Sequence, residues 1–143
     1  MRFDYSQYLV EPTPAAPDRR VLYRPVIPVR MSGPQASLTI WALLDTGADE
    51  SYITESLAKK LGVAPLSNEL GTIHSASGAM SVWYGELTVE VGDETDRHSF
   101  PVTVGVVGEE WSESILGHLG FLEHFDATFS YADKCVTLAA RSS

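Results

Sequence analysis

An aspartate stands where a run of core-type residues stops. Trp41-Ala42-Leu43-Leu44 leads into Asp45-Thr46-Gly47, and Ala48-Asp49-Glu50-Ser51 follows. A strand ending on such a triplet sets a carboxyl at the edge of the core. The glycine two residues on lets backbone amides approach that carboxyl, and Thr46 offers a hydroxyl to anchor the loop. The chemistry open to such a group is proton transfer, as general base or general acid. Taken alone, the triplet is also a common Asp-Gly-type turn between two strands, and Asp49 is an ordinary solvated loop acid.

Other reactive residue types form no constellation. His74 and His98 are isolated, His118 and His124 are six apart, and there is no cysteine pair or His-Glu-x-x-His spacing, so no metal site is expected. Cys135 lies in an apolar run and reads as core rather than nucleophile. No Gly-x-Ser-x-Gly elbow or phosphate-binding glycine loop is present, which weakens serine hydrolase and nucleotide-dependent readings. No cofactor is expected. Trp83 and Tyr84, in a strand-like run, read first as packing.

Short β-like runs must position Asp45. Residues 21–31 and 37–44 flank a turn at Ser32-Gly33-Pro34, with Leu38, Ile40, Ala42 and Leu44 on one face of the second run. Thr54 is an N-cap candidate for a short helix, with Glu55 in its first turn, Lys59 and Lys60 in its last and Gly62 beyond; Leu57, Ala58 and Leu61 are its buried stripe. Between residues 70 and 91 two strand-like runs surround Ser75-Ala76-Ser77-Gly78-Ala79, which predicts a long hairpin. Its second arm alternates Leu87, Val89 and Val91 with Glu86, Thr88 and Glu90, the pattern of a strand with one wet face. A strand over residues 100–107, an acidic loop with Glu109, Glu110 and Glu113, and Ile115-Leu116-Gly117 come next. Residues 119–125 predict a short helix, and residues 127–130 and 135–139 a closing hairpin around Asp133-Lys134. Residues 1–20, with Pro12, Pro14 and Pro17, read as an extended arm ahead of a single domain over residues 21–143.

Composition bounds the partners. With 143 residues, 44% hydrophobic and 20% charged, the chain can close one core without disulfides or a structural metal. A net charge of −9 argues against nucleic acid, whose phosphates call for a clustered basic surface. No stretch reaches transmembrane length and the start lacks an apolar signal core, so a soluble, unexported chain without a membrane partner is expected. One cysteine fits a reducing compartment, and a cytoplasmic location is the expectation.

The order of these features resembles the retropepsin-like (retroviral-type) aspartic protease family. There, two apolar residues precede Asp-Thr-Gly-Ala, as Leu43 and Leu44 do here, and a second hallmark of an apolar pair plus glycine matches Ile115-Leu116-Gly117. A candidate flap hairpin lies between them, and the resemblance covers residues 21–138. It implies an all-β, closed barrel-like fold with a flap hairpin and one or two short helices. The implied activity is that of an acid protease, an aspartic endopeptidase acting on polypeptide as a homodimer, each chain giving one Asp to a water-activating dyad. Asp45 is then the catalytic carboxylate, Thr46 braces the two active-site loops, and Gly47 presents a carbonyl to the substrate. Ala48 and Asp49, with Ser77, Gly78 and Ala79 of the flap tip, are implied to contact substrate.

Two departures stand out. His118 replaces an arginine that pairs with the position of Asp49, offering a titratable charge without a bidentate fork. The flap centre has a single glycine, Gly78. The alternative is a non-catalytic, dimeric peptide- or protein-binding domain on the same fold.

Overall fold

Runs rich in valine and isoleucine, broken by glycine and proline, favour strands, and the computed structural model, which describes residues 1–75, 78–111 and 113–141, is mostly β. The chain runs through β1 (Arg2–Asp4), β2 (Ser6–Leu9), β3 (Val21–Arg24), β4 (Val26–Ser32) and β5 (Ser37–Leu44) to the Asp45 loop. Beyond it come β6 (Tyr52–Thr54), α1 (Glu55–Leu61), β7 (Gly71–Ser75), β8 (Gly78–Gly92) and β9 (Arg97–Val107). The chain closes with β10 (Ser114–Leu116), a 3-10 turn at Leu122–His124, β11 (Phe125–Ser130) and β12 (Cys135–Ala140).

The main sheet has the order β4-β5-β10-β6-β9-β8-β7. β4 also pairs with β8, from Arg30 opposite Glu90 to Ser32 opposite Thr88, so the sheet curls back on itself in a barrel-like form. Period-2 patterning decides what fills it: Ile27, Val29 and Met31 of β4, Leu87, Val89 and Val91 of β8, and Val102, Val104 and Val106 of β9 are all buried. Glu86 is exposed on the other face of β8, as its alternation predicts.

Helix α1 follows its punctuation. Thr54 accepts from the Leu57 amide, Gly62 takes a left-handed φ of 79°, and Leu57, Ala58 and Leu61 face the core. A second, smaller cluster of Tyr52, Val82 and Val107, with Ile73, Trp111 and Ile115 packed on it, ties the root of the β7–β8 hairpin to the Asp45 side of the barrel.

Three segments differ from simple patterning. Residues 119–125 hold only the 3-10 turn, because Gly120 has a φ of +96°, outside any right-handed helix. Leu38 is 36% exposed while Ala42 and Leu44 are buried, since β10 flanks β5 only along Ala42 to Leu44. Residues 1–20, set apart above as an extended arm, are tied to the body: β1 pairs with β12, β2 pairs with β3, and Phe3 joins the main core. No helix among the described residues is long and apolar enough to cross a membrane.

Candidate active site

Asp45 follows the last residue of a strand held on both sides. β5 runs antiparallel to β4 and parallel to β10, and the Asp45 amide donates to the Leu116 carbonyl at 3.0 Å. The loop then turns sharply. The Gly47 amide donates to Asp45 Oδ1 at 2.8 Å, and the Ala48 amide donates to the Asp45 carbonyl at 3.2 Å. One carboxylate oxygen is therefore oriented by the backbone, and Asp45 is half-buried while Thr46 and Gly47 are exposed at the loop tip.

The segment Ile115-Leu116-Gly117-His118 locks onto this loop from behind. The His118 amide donates to the Ala48 carbonyl at 3.0 Å, and the Leu119 amide to the Asp49 carbonyl at 2.8 Å. Gly117 is required by close approach: a Cβ there would sit 2.2 Å from the Glu50 carbonyl oxygen and 2.5 Å from that of Ala48. The ring of His118 turns to the Asp45-Thr46-Gly47 triplet rather than to Asp49, with Nε2 placed 2.6 Å from the Thr46 carbonyl oxygen. A carbonyl only accepts, so Nε2 carries the hydrogen in this contact.

Ser51 is the pin of this arrangement. Wholly buried, it accepts from the Gly117 amide at 3.1 Å through Oγ and donates to the Leu119 carbonyl at 2.9 Å. Its own carbonyl accepts from the Gly105 amide of β9. The Asp45 loop, the Gly117 segment and the barrel wall thus meet at one hydroxyl-bearing residue.

In front of Asp45 opens a cleft of about 470 Å³. Gly47, Ala48 and Asp49 form its floor with Asp45, Thr72, Ile73 and His74 of β7 overhang it, and Tyr52, Trp111 and Ile115 give an apolar side. Tyr52 and Trp111 pack with ring centroids 5.3 Å apart. Glu50 lines the same space and accepts a hydrogen bond from the Tyr84 hydroxyl at 3.1 Å. Burial, then that bond, pushes the Tyr84 hydroxyl up to about 12; burial, then the charges of Glu50 and Asp49, raises Tyr52 as well.

The structure brings Asp45, Gly47, Ala48 and Asp49 into one cleft and leaves Thr46 beside it, exposed at the loop tip. Gly78 and Ala79 pair with Ser75 and His74 at the far end of the hairpin and do not line the cleft; Ser77 lies outside the described residues. The overhang that does reach it, residues 72–74, was not singled out from sequence, nor were Glu50, Ser51 and Trp111. Trp111 carried a visible signal as a lone aromatic in an acidic loop, and Ser51 as a small hydroxyl residue at the entry to an apolar strand. No group of three or more His, Cys, Asp or Glu suited to a metal occurs among the described residues.

Residues 27–118 match the family model described as aspartyl protease. No curated protein matches the chain. Among solved structures, a retropepsin-like aspartic protease from Rickettsia conorii is 20% identical with a TM-score of 0.54, over 92% of this chain and 97% of that one. The retroviral protease-like domain of Ddi1 from Leishmania major is 18% identical with a TM-score of 0.52, over 80% and 88%. The EIAV protease complexed with the inhibitor HBY-793 is 22% identical with a TM-score of 0.50, over 66% and 82%. These similarities support the fold; the chemistry rests on the cleft.

Proposed function

The chain belongs to the aspartyl protease family, and from that premise we propose that it is an aspartic endopeptidase working as a homodimer. The observation that carries this reading is the oriented, half-buried Asp45 on the floor of a cleft overhung by the β7–β8 hairpin. Hydrolysis of a peptide bond needs a base to take a proton from water and an acid to give one to the carbonyl oxygen, and one carboxyl cannot do both at once. Each chain has a single Asp-Thr-Gly triplet. A two-fold axis passing beside the exposed tip at Thr46 and Gly47 would bring two copies of Asp45 together.

In that dimer one Asp45 is ionised and accepts a proton from the bound water, whose oxygen attacks the scissile carbonyl carbon. The other Asp45, protonated, donates to the carbonyl oxygen. The tetrahedral species collapses as the C–N bond breaks, with a proton passing to the leaving amine. Substrate lies extended between cleft floor and hairpin, its main chain offering hydrogen bonds to strand edges and its side chains filling pockets. Ala48 and Asp49 on the floor serve as substrate contacts in this reading, and the Gly78–Ala79 end of the hairpin does so on closing over the peptide.

The test is cleavage of an unstructured peptide library by wild type and by Asp45→Asn, with binding of a pepstatin-like inhibitor as a second readout. Cleavage and inhibitor binding that both disappear in Asp45→Asn are expected. A wild-type dimer that binds peptides, cuts none of them and ignores the inhibitor would replace this reading with the non-catalytic binding domain.

A further inference from the structure

The cleft is unbalanced in charge. Among the described residues Asp45, Asp49 and Glu50 line it, no lysine or arginine does, and His74 is the one lining group able to become cationic. The side-chain ion pairs among the described residues leave these carboxylates out: Arg24 is engaged with Glu113, Arg97 with Glu90, His98 with Asp96 and Arg141 with Asp126. Asp45 is held by the Gly47 amide, and Glu50 is the other carboxylate that is fixed. It is half-buried, and the Tyr84 hydroxyl, anchored on β8, holds its Oε1. Asp49 is exposed, and its backbone carbonyl is already used by the Leu119 amide.

Opposite charge is only half of the fit. Ile73, Ile115 and the packed Tyr52 and Trp111 line the same space, giving an apolar surface along which a methylene chain can lie. A long aliphatic stem ending in a positive head matches both features. An acidic side chain would meet like charge, and a purely apolar one would desolvate Glu50 without supplying a counter-charge.

We propose that the Glu50 side of the cleft selects a lysine or arginine side chain of the substrate peptide, with Glu50, braced by Tyr84, as the specificity-determining residue. This rests on the peptidase reading of the same cleft. In a two-fold dimer the same wall recurs on both sides of the scissile bond, so basic residues are favoured on either side of it. A charge-assisted hydrogen bond in a partly desolvated cleft corresponds to a preference of about ten- to a hundredfold over an uncharged side chain of equal length.

The experiment compares extended peptides in which each residue within about three positions of the cut is replaced in turn by lysine, arginine, norleucine or glutamate. Wild type is expected to give kcat/KM for lysine and arginine about ten- to a hundredfold above norleucine, a ratio that shrinks as salt is raised. In Glu50→Gln the ratio falls to within a few-fold of one, and in Tyr84→Phe, which keeps the ring and frees the carboxylate, it falls partway. Circular dichroism checks that each variant is folded. Equal ratios in wild type and both variants, or a wild-type preference for norleucine or glutamate, would overturn the proposal. Binding of the same peptides to Asp45→Asn, read by fluorescence polarisation, separates this from the peptidase reading. A Glu50-dependent lysine preference in binding without cleavage by wild type removes the enzyme and keeps the selection. Cleavage by wild type with no lysine preference in binding or turnover removes the selection and keeps the enzyme.

Discussion

Replacing Ser51 by alanine removes one oxygen atom and two hydrogen bonds at the point where the Asp45 loop meets the Gly117 segment. The Gly117 amide, whose bond to Ser51 is buried, loses its acceptor; a buried unsatisfied donor costs about 1–3 kcal/mol. The Leu119 carbonyl loses a donor in a partly buried place, where water can replace it at a cost below about 1 kcal/mol. The expected loss is therefore about 2 kcal/mol, most of it from a single amide. Urea unfolding followed by tryptophan fluorescence, at fixed protomer concentration because assembly shifts apparent stability, reads it directly. With a slope of about 1–3 kcal/mol per molar urea, the midpoint should fall by roughly 1 M with the slope unchanged. A fall below about 0.3 M would refute the claim that this hydroxyl pins the two loops.

Gly117→Ala should be worse than Ser51→Ala, about 3 kcal/mol or more, because the new methyl meets two backbone carbonyls that cannot swing aside; the thermal midpoint measures it. Phe3→Ala should destabilise by about 3 kcal/mol, since Phe3 is 8% exposed and packs in the main core, and urea unfolding of this variant tests whether the first strand belongs to the fold. The Asp93 carboxyl is lowered from an ordinary 3.8 to about 2, first by the Thr95 amide and then by the Thr95 hydroxyl. A depressed folded value contributes stability that is complete above the unfolded value and is lost as pH falls through the folded one. Asp93→Asn should therefore flatten the pH dependence of unfolding between 3.8 and about 2 and leave its slope at neutral pH unchanged.

Local signals in the sequence were the ones that translated most directly into structure. Thr54 and Gly62 bracket α1 because capping is decided within one turn of chain, and Leu87, Val89 and Val91 face inward because a strand buries alternate residues. Asp45 was legible for the same reason: an apolar strand, an acid and a glycine suffice to set an oriented carboxyl on a turn. What was not legible depends on contacts between distant residues. Tyr84 fixes Glu50 across 34 positions, and Ser51 reaches Gly117 across 66, so neither pair leaves a trace in spacing. The helix expected over residues 119–125 followed its apolar spacing, but the amides of His118 and Leu119 are committed to the Asp45 loop and Gly120 turns the chain left-handed. Residues 1–20 carry prolines and weak periodicity, yet strand pairing with β12 and one buried phenylalanine tie the first of them down. His118 is a similar case, since its type marked a departure from the resembling family while its contact with Thr46 depends on how two loops cross.

The shared site is the central claim, and mixing tests it. Wild-type and Asp45→Asn chains, combined in equal amounts and allowed to exchange, should on the proposed reading form heterodimers that hold one carboxylate and one amide, and an amide cannot serve as the ionised base. Only wild-type homodimers should cut, so activity should settle at roughly a quarter of that of the same total concentration of wild type. Activity near one half, in proportion to the wild-type chains present, would mean that each chain carries a complete site, and the dyad built from two copies of Asp45 would be wrong.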